Sequence, residues 1–190
     1  MARPREISDL DCEERYGLAA AKVVEVRAEE LFEQSDGVLD TSDIERVHDM
    51  RVASRRLRAA MEIFEPCFPR KPFRRALKEV KALADALGER RDRDVSIAFL
   101  EHFSEHVTAS DRRGIGMLLE RLREEQTGAN EDLVPFVSDQ RMAALRDDVE
   151  RLCAAARESA REQAQLEAAQ PEGDRDVGAA DDRPLAEPAQ

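Results

Sequence analysis

Residues 47–64 read VHDMRVASRRLRAAMEIF, and this stretch decides the expected fold of the chain. On an α-helix, with about 100° of rotation per residue, its apolar side chains share one face: Val47, Met50, Leu57, Met61 and Phe64. A histidine and three arginines share a second face, about 120° away and about 15 Å long: His48, Arg51, Arg55 and Arg58. Arg56 lies to the side of this row. The pattern predicts an amphipathic helix with one buried and one cationic face.

The cationic face is unexpected because the whole chain of 190 residues is strongly acidic, with a formal net charge of −12. Spread evenly, that charge would argue against general affinity for nucleic acids or membranes. It is uneven, since residues 46–93 hold 14 Lys and Arg against 7 Asp and Glu. The chain therefore has a basic centre flanked by acidic segments.

The composition predicts an all-α protein, because Ala, Leu, Glu and Arg dominate and β-branched residues never alternate. Apolar stripes at helical spacing indicate an antiparallel bundle of about six helices. Their expected spans are about 12–34, 42–65, 72–88, 92–107, 110–126 and 130–163. We assign the bundle to residues 11–163. Residues 164–190 are expected to form a disordered acidic tail, and residues 1–10 to be loosely held.

Several residues set the expected helix ends. Gly37 suits the position after the first helix, and Ser42 with Glu45 has the spacing of a capping box at the start of the second. Gly88 is expected to end the third helix, and Asp92 to cap the fourth. Pro135 is expected to kink or break the last helical region.

The location follows from weaker signals. Cys12, Cys67 and Cys153 are odd in number and form no CxxC pair, so we expect reduced thiols in the cytoplasm. The N-terminal residues lack the apolar core of a signal peptide. No apolar run approaches the roughly 18–20 residues that a membrane span needs, so we expect no membrane contact.

The third predicted helix carries a second basic row, of similar length to the first: Lys71, Arg74, Lys78 and Lys81. Arg75 sits beside this row. The short Pro-rich link between the second and third helices predicts antiparallel neighbours, with axes about 8–10 Å apart. Two basic rows at that spacing would line a groove.

Local ion pairs account for only part of this charge. Arg58, Arg75 and Lys81 each have an acidic residue four positions later. Four other cations have none three or four positions away: Arg51, Arg55, Arg74 and Lys78. They either pair with acids on other helices or await an external polyanion, and spacing alone leaves both readings open.

The arrangement favours a linear polyanion without bases. Small phosphate esters are commonly held by a helix N-terminus or a Gly-rich loop, and the chain has neither GxxxxGK[ST] nor GxGxxG. Base stacking requires exposed aromatic side chains, and the chain has one Tyr, no Trp and seven Phe that mostly follow apolar stripes. These features argue against nucleic acid as the ligand.

The pattern HFSEH at residues 102–106 fits the HxxEH spacing of some zinc proteases. His102 and His106 could share a metal on one helix face, but a hydrolytic zinc site needs a third ligand. Two surface histidines near a helix end are the simpler reading, so we expect no metal, no cofactor and no enzymatic activity.

Residues 47–64, followed by LGERRDRDV at residues 87–95, closely resemble the CHAD family of α-helical domains. The resemblance implies binding of inorganic polyphosphate, often on polyphosphate granules. It implies a binding surface formed by His48, Arg51, Arg55, Arg56 and Arg58 and extended by Arg74, Arg75, Lys78, Lys81 and Arg91. It covers about residues 11–160.

The chain also departs from the family pattern. Members typically contain two such bundles, and no second HxxR helix follows residue 100 here. Either one bundle suffices or two chains combine, and we expect a homodimer driven by exposed apolar surface. No ExExK strand of a triphosphatase domain is present, so no catalysis is inferred. The alternatives are a phosphohydrolase or accessory subunit of polyphosphate metabolism and, third, a nucleic-acid binder.

Overall fold

The computed structural model describes residues 3–169, and all regular structure in that range is helical. Five α-helices and one short 3-10 turn follow in order: α1 Tyr16–Glu33, α2 Ile44–Ile63, the turn Glu65–Cys67, α3 Arg70–Ser104, α4 Ala109–Val137 and α5 Asp139–Ala169. The predicted all-α class is confirmed. The predicted count of six helices is wrong, because two predicted helices form one.

Four elements build an antiparallel bundle: α1, α2, α5 and the N-terminal half of α3. Opposite helix ends meet at each interface. The Tyr16 hydroxyl at the start of α1 lies 3.5 Å from the carbonyl oxygen of Ile63 at the end of α2. Arg15, just before α1, pairs with Glu167 near the end of α5. Val47, Met50, Leu57 and Met61 are fully buried between the helices, which confirms the apolar face predicted for α2.

The C-terminal part of α3 and most of α4 pair as an antiparallel hairpin, named here the α3–α4 hairpin, residues 93–125. Its two helices are joined by an ion pair of 2.7 Å between Arg123 and Glu101. The bundle core takes α3 residues only as far as Leu87 and, from α4, includes Leu133. The hairpin therefore extends beyond the core of the bundle.

The prediction that α3 ends at Gly88 is wrong, because the helix runs without interruption from Arg70 to Ser104. Just beyond Gly88, Arg90 and Asp94 form a fully buried ion pair one turn apart, and Gln126 of α4 donates to the Asp94 carboxylate at 2.6 Å. The Gln126 hydrogen bond ties α3 to α4 at this point. Removing one partner of the buried pair would leave the other charge buried and unpaired, at a cost of about 3–5 kcal/mol. Asp92, expected as a cap, lies inside the helix.

The break in the last helical region also differs from the prediction. It falls at Ser138, between α4 and α5, and Pro135 lies within the last turn of α4. Proline near a helix end removes few hydrogen bonds, so α4 continues for two residues beyond it. Gly128, in the predicted gap between two helices, is helical as well.

The caps of the first two helices differ from the predicted ones. Helix α1 begins at Tyr16 and its C-terminal cap is Gln34. Gly37 lies in the following turn with φ +67°, a left-handed conformation that favours glycine. The α2 cap is Asp43, which accepts from the Glu45 backbone N–H at 3.3 Å, so the predicted capping box is absent.

Both ends of the described chain are more ordered than predicted. Arg5 pairs with Glu29 and Glu33, and its backbone N–H donates to Glu30, which fastens the N-terminal segment along α1. Helix α5 continues to Ala169, so residues 164–169, predicted as disordered, are helical; the rest of that predicted tail lies outside the described residues. An ion pair between Arg15 and Glu167 explains part of this extension. The three cysteines are free thiols.

The continuity of α3 gives a test with a matched control. A Cβ at Gly88 would lie 3.8 Å from the Arg51 Nε atom, an ordinary contact, so Gly88→Ala should stabilise the protein by about 0.5–1 kcal/mol through helix propensity. Gly37→Ala should destabilise it by about 1–2 kcal/mol, because Gly37 is left-handed and the new Cβ would lie 2.7 Å from Arg46. Denaturant titration measures both. Destabilisation by Gly88→Ala would contradict the unbroken helix.

Candidate functional site

The site begins with the buried face of α2. Val47, Met50 and Leu57 are fully buried. Their burial fixes the rotation of α2 about its axis, so the remaining side of the helix faces solvent. Helix α3 packs beside α2 in the antiparallel sense, since Arg91 near the middle of α3 donates to the carbonyl of Ile44 at 3.0 Å. The helix pair thereby forms an open groove along its outer side.

Three arginines of α2 line this groove, as the sequence predicted: Arg51, Arg55 and Arg58. The second wall differs from the predicted one. On α3 the lining residues are Ala84, Asp85, Gly88, Glu89 and Asp92. Three carboxylates therefore face three guanidinium groups across the groove.

The basic row predicted on α3 lies on the same face of the helix, nearer to its N-terminus. At about 100° per residue, Arg74, Lys78 and Lys81 share a sector with Asp85 and Asp92. Along this face the charge changes sign between Lys81 and Asp85. The cationic surface of the helix pair thus runs from the α2 arginines towards the α2–α3 link.

Glu62 joins the two rows. It pairs with Lys81 of α3 at 2.9 Å and with Arg58 of α2 at 3.2 Å. Hydrogen bonds from Lys81 and then Arg58 lower the pKa of the Glu62 carboxyl below its usual value. Because Glu62, Lys81 and Arg58 are partly exposed, solvent screens both ion pairs, and their net contribution to the stability of the fold is small. The predicted Arg58–Glu62 pair is present, whereas Lys81 pairs across the helices and not with Asp85.

Four cations of the two predicted basic rows have no local acid in the sequence and form no ion pair among the described residues. Within residues 3–169 no ion pair or side-chain hydrogen bond is formed by the side chains of Arg51, Arg55, Arg74 and Lys78. These are the four that the sequence left without a local partner, and acids on other helices do not supply one in the described structure. Cations elsewhere are of two kinds: Arg15, Arg123 and Arg157 form ion pairs, whereas Arg70, Arg113 and Arg161 form none within residues 3–169. The four site cations are therefore distinguished by lying together on the surface of one helix pair.

The remaining predicted site residues have other surroundings. Arg91 is held at the start of α2 by Ile44 and by Glu45 at 3.4 Å. Arg75 lies on the other side of α3, where it pairs with Asp148 of α5 at 2.7 Å. Burial raises the pKa of Asp148, but hydrogen bonds from Arg151 and Arg75 outweigh it, and the net pKa is lowered.

Two residues of the predicted row on α2 lie beside the groove. Arg56 is half-buried on another side of the helix and has a partner of its own. His48 is half-buried, one turn before Arg51 on the predicted face. The structure therefore brings three residues of the predicted set into the groove lining: Arg51, Arg55 and Arg58. The other predicted residues lie outside the lining: His48, Arg56, Arg74, Arg75, Lys78, Lys81 and Arg91.

The groove carboxylates are the residues that the sequence analysis missed. Asp85, Glu89 and Asp92 continue the spacing of Lys78 and Lys81 by steps of three and four residues. This helical spacing is visible in the sequence, but the predicted helix end at Gly88 assigned Asp85 and the pair Glu89 and Asp92 to different segments. Gly88 itself leaves room in the groove wall, where the Arg51 guanidinium approaches.

The HFSEH pattern lies far from the groove, at the C-terminal end of α3. Ligand atoms of His102, Glu105 and His106 lie within 4.8 Å of one another, and all three residues are exposed. The His106 Nδ1 atom contacts the His102 carbonyl oxygen at 3.0 Å. The cluster has the composition for holding a cation, but the described residues offer it no link to the groove.

No helix in the described part of the chain is both long and apolar enough to cross a membrane.

Comparison with known proteins gives one result for the family. No curated protein matches the chain. The family model of the CHAD domain matches residues 22–188. This range is most of the chain and includes α2, α3 and the groove between them. The match starts inside α1 and extends past residue 160, beyond the part that the motifs alone indicated. The chain belongs to the CHAD domain family.

Proposed function

We propose that this protein binds inorganic polyphosphate along the cationic surface of α2 and α3. The surface comprises Arg51, Arg55 and Arg58 from α2 and Lys71, Arg74, Lys78 and Lys81 from α3. The observation that carries the proposal is that four cations on one surface, Arg51, Arg55, Arg74 and Lys78, form no ion pair within residues 3–169 of a chain whose net charge is −12. CHAD domains are associated with polyphosphate binding or metabolism, which supports the same ligand.

The shape of the surface favours a long ligand. From Arg51 to Arg58 the α2 row extends about 10 Å, and from Lys81 to Arg74 the α3 row extends about 10 Å further, at 1.5 Å per residue. A single phosphate group could reach both rows only where they meet, as the Glu62 carboxylate does at Arg58 and Lys81, and could not span from Arg51 to Arg74. A chain of phosphates can meet successive guanidinium forks, which bind two oxygens each, and the lysines add point charge.

The surroundings favour a polyanion without bases over a nucleic acid. Sequence-independent binding of single strands relies on aromatic side chains beside a cationic groove. Among the described residues, the exposed aromatic side chains are Tyr16, Phe99 and Phe103, and none lines the α2–α3 groove. RNA should therefore compete weakly with polyphosphate of equal charge.

We further propose that the protein is a binding module that places itself or a partner on polyphosphate granules, without catalysis. A row of separate arginines along an open groove suits holding a polymer, whereas hydrolysis would require a group positioned to activate water. Phosphate release by the pure protein from polyphosphate would instead favour a hydrolytic role.

The proposal predicts a change in salt dependence. Arg51→Ala with Arg55→Ala should weaken polyphosphate binding. The negative slope of log K against log[salt] should become shallower by about 1–1.5, since each lost contact with a single-stranded polyanion contributes roughly 0.7. Titration calorimetry at several salt concentrations measures the slope, and circular dichroism checks that the helices persist.

The matched control is Arg113→Ala with Arg161→Ala, which removes the same charge at exposed positions outside the groove. Its slope should stay close to that of the unmodified protein. Equal losses in both double variants would mean that the ligand responds to total charge, and would overturn the assignment to the groove.

The groove carboxylates give a prediction of opposite sign. Asp85→Asn with Glu89→Gln removes two negative charges that face the arginines, so polyphosphate should bind about threefold to tenfold more tightly at low salt. Asp147→Asn with Glu150→Gln, exposed on α5, changes net charge equally and should have a smaller effect. An unchanged affinity in the groove variant would show that the ligand passes elsewhere.

A further inference from the structure

The α3–α4 hairpin exposes an apolar face that the bundle does not cover. A shallow apolar groove runs between its helices, lined by Val95, Ser96, Phe99 and Leu100 of α3 and by Leu118 and Leu122 of α4. Phe99 is 65% exposed, Val95 52% and Leu118 46%. Phe103 stacks on Phe99 with ring centroids 6.2 Å apart and is 47% exposed. Large apolar side chains are thus clustered here rather than scattered.

The hairpin has only a narrow seam of its own. Ile97 and Leu119 are its buried apolar side chains, while the row on the groove side stays in solvent. A pair of helices cannot cover a second apolar row without additional helices, and two such pairs packed together form a four-helix arrangement. The shape of the face therefore fits another helical hairpin.

We propose that a second copy of this chain covers the hairpin groove, so that two α3–α4 hairpins pack face to face in a homodimer. The exposed side chains of two faces would together bury on the order of 900 Å² before the rim is counted, close to the roughly 1,000 Å² that specific interfaces exceed. A symmetric contact requires one self-complementary face, which the hairpin provides.

Charge favours this occupant as well. Residues 93–125 contain five Arg and seven Asp and Glu, so the hairpin is nearly neutral although the chain as a whole has a net charge of −12. Several of these charges are already paired within the hairpin, as in Arg123–Glu101 and Arg121–Glu125. Two hairpins can therefore approach with little of the repulsion that the rest of the chain would cause.

The segment beyond α5 is a poor occupant. Residues 170–190 contain Val177 and Leu185 as their only large apolar side chains and have an excess of acidic residues. Helix α5 ends near Arg15, which pairs with Glu167, and hence at the end of the bundle where Tyr16 meets Ile63. The hairpin leaves the bundle at the other end, beyond the contact of Arg91 with Ile44.

Sedimentation equilibrium of the full chain over roughly 1–100 µM tests the proposal, because weak specific dimers dissociate in this range. We expect a species of twice the chain mass of 21.4 kDa. Phe99→Glu should weaken dimerisation at least about tenfold, since it places an unpaired carboxylate in the apolar contact. Val95→Lys is a second variant with the opposite charge and should act in the same direction.

Ile63→Glu is the matched control, because Ile63 is 64% exposed and lies at the far end of the bundle. It should leave the dimer unchanged. A monomer at 100 µM, or a dimer that withstands both hairpin variants, would overturn the proposal. The test does not depend on polyphosphate, so its failure and a failure of the proposed function are distinguishable.

Discussion

The apolar seam between α2 and α3 is the constraint on which the rest of the candidate site depends. Because Val47, Met50 and Leu57 of α2 and Val80, Leu83 and Leu87 of α3 are buried together in the core, neither helix can rotate without exposing apolar side chains. Each Leu moved into water would cost about 1.5–3 kcal/mol. The rotation of α2 therefore fixes where Arg51 and Arg55 point, and the cationic surface is a consequence of packing rather than of local charge pairs.

Helix α3 arranges three kinds of surface along one face. Near its N-terminus the face is basic at Arg74 and Lys78, next it is acidic at Asp85 and Asp92, and beyond the bundle it is apolar at Phe99. The buried Arg90–Asp94 pair lies on the opposite side, where burial lowers the pKa of the Arg90 guanidinium. This pair and Gln126 connect the bundle to the hairpin. One continuous helix thus carries the proposed ligand surface and the proposed dimer surface without mixing them.

The sequence was sufficient for the fold class, the apolar face of α2 and the arginine row, because each depends on helical periodicity alone. It was insufficient at Gly88, where an intrinsic helix-breaking tendency of about 1 kcal/mol is outweighed by contacts with other helices, such as that of Asp94 with Gln126 of α4, which no local pattern contains. The error propagated to the site, since the acidic wall at Asp85, Glu89 and Asp92 became visible only once α3 was continuous. Arg75 and Arg91 show the same limit, because their partners Asp148 and Glu45 are distant in sequence.

The binding surface can be tested by arginine-directed chemical modification, read by mass spectrometry with and without polyphosphate. We expect polyphosphate to protect Arg51, Arg55 and Arg74, whose side chains form no ion pair in the described structure. Arg75, paired with Asp148, and the exposed Arg113 on the hairpin should react at the same rate in both samples. Uniform protection of all five arginines, or protection of Arg75 and Arg113 alone, would contradict a binding surface along α2 and α3.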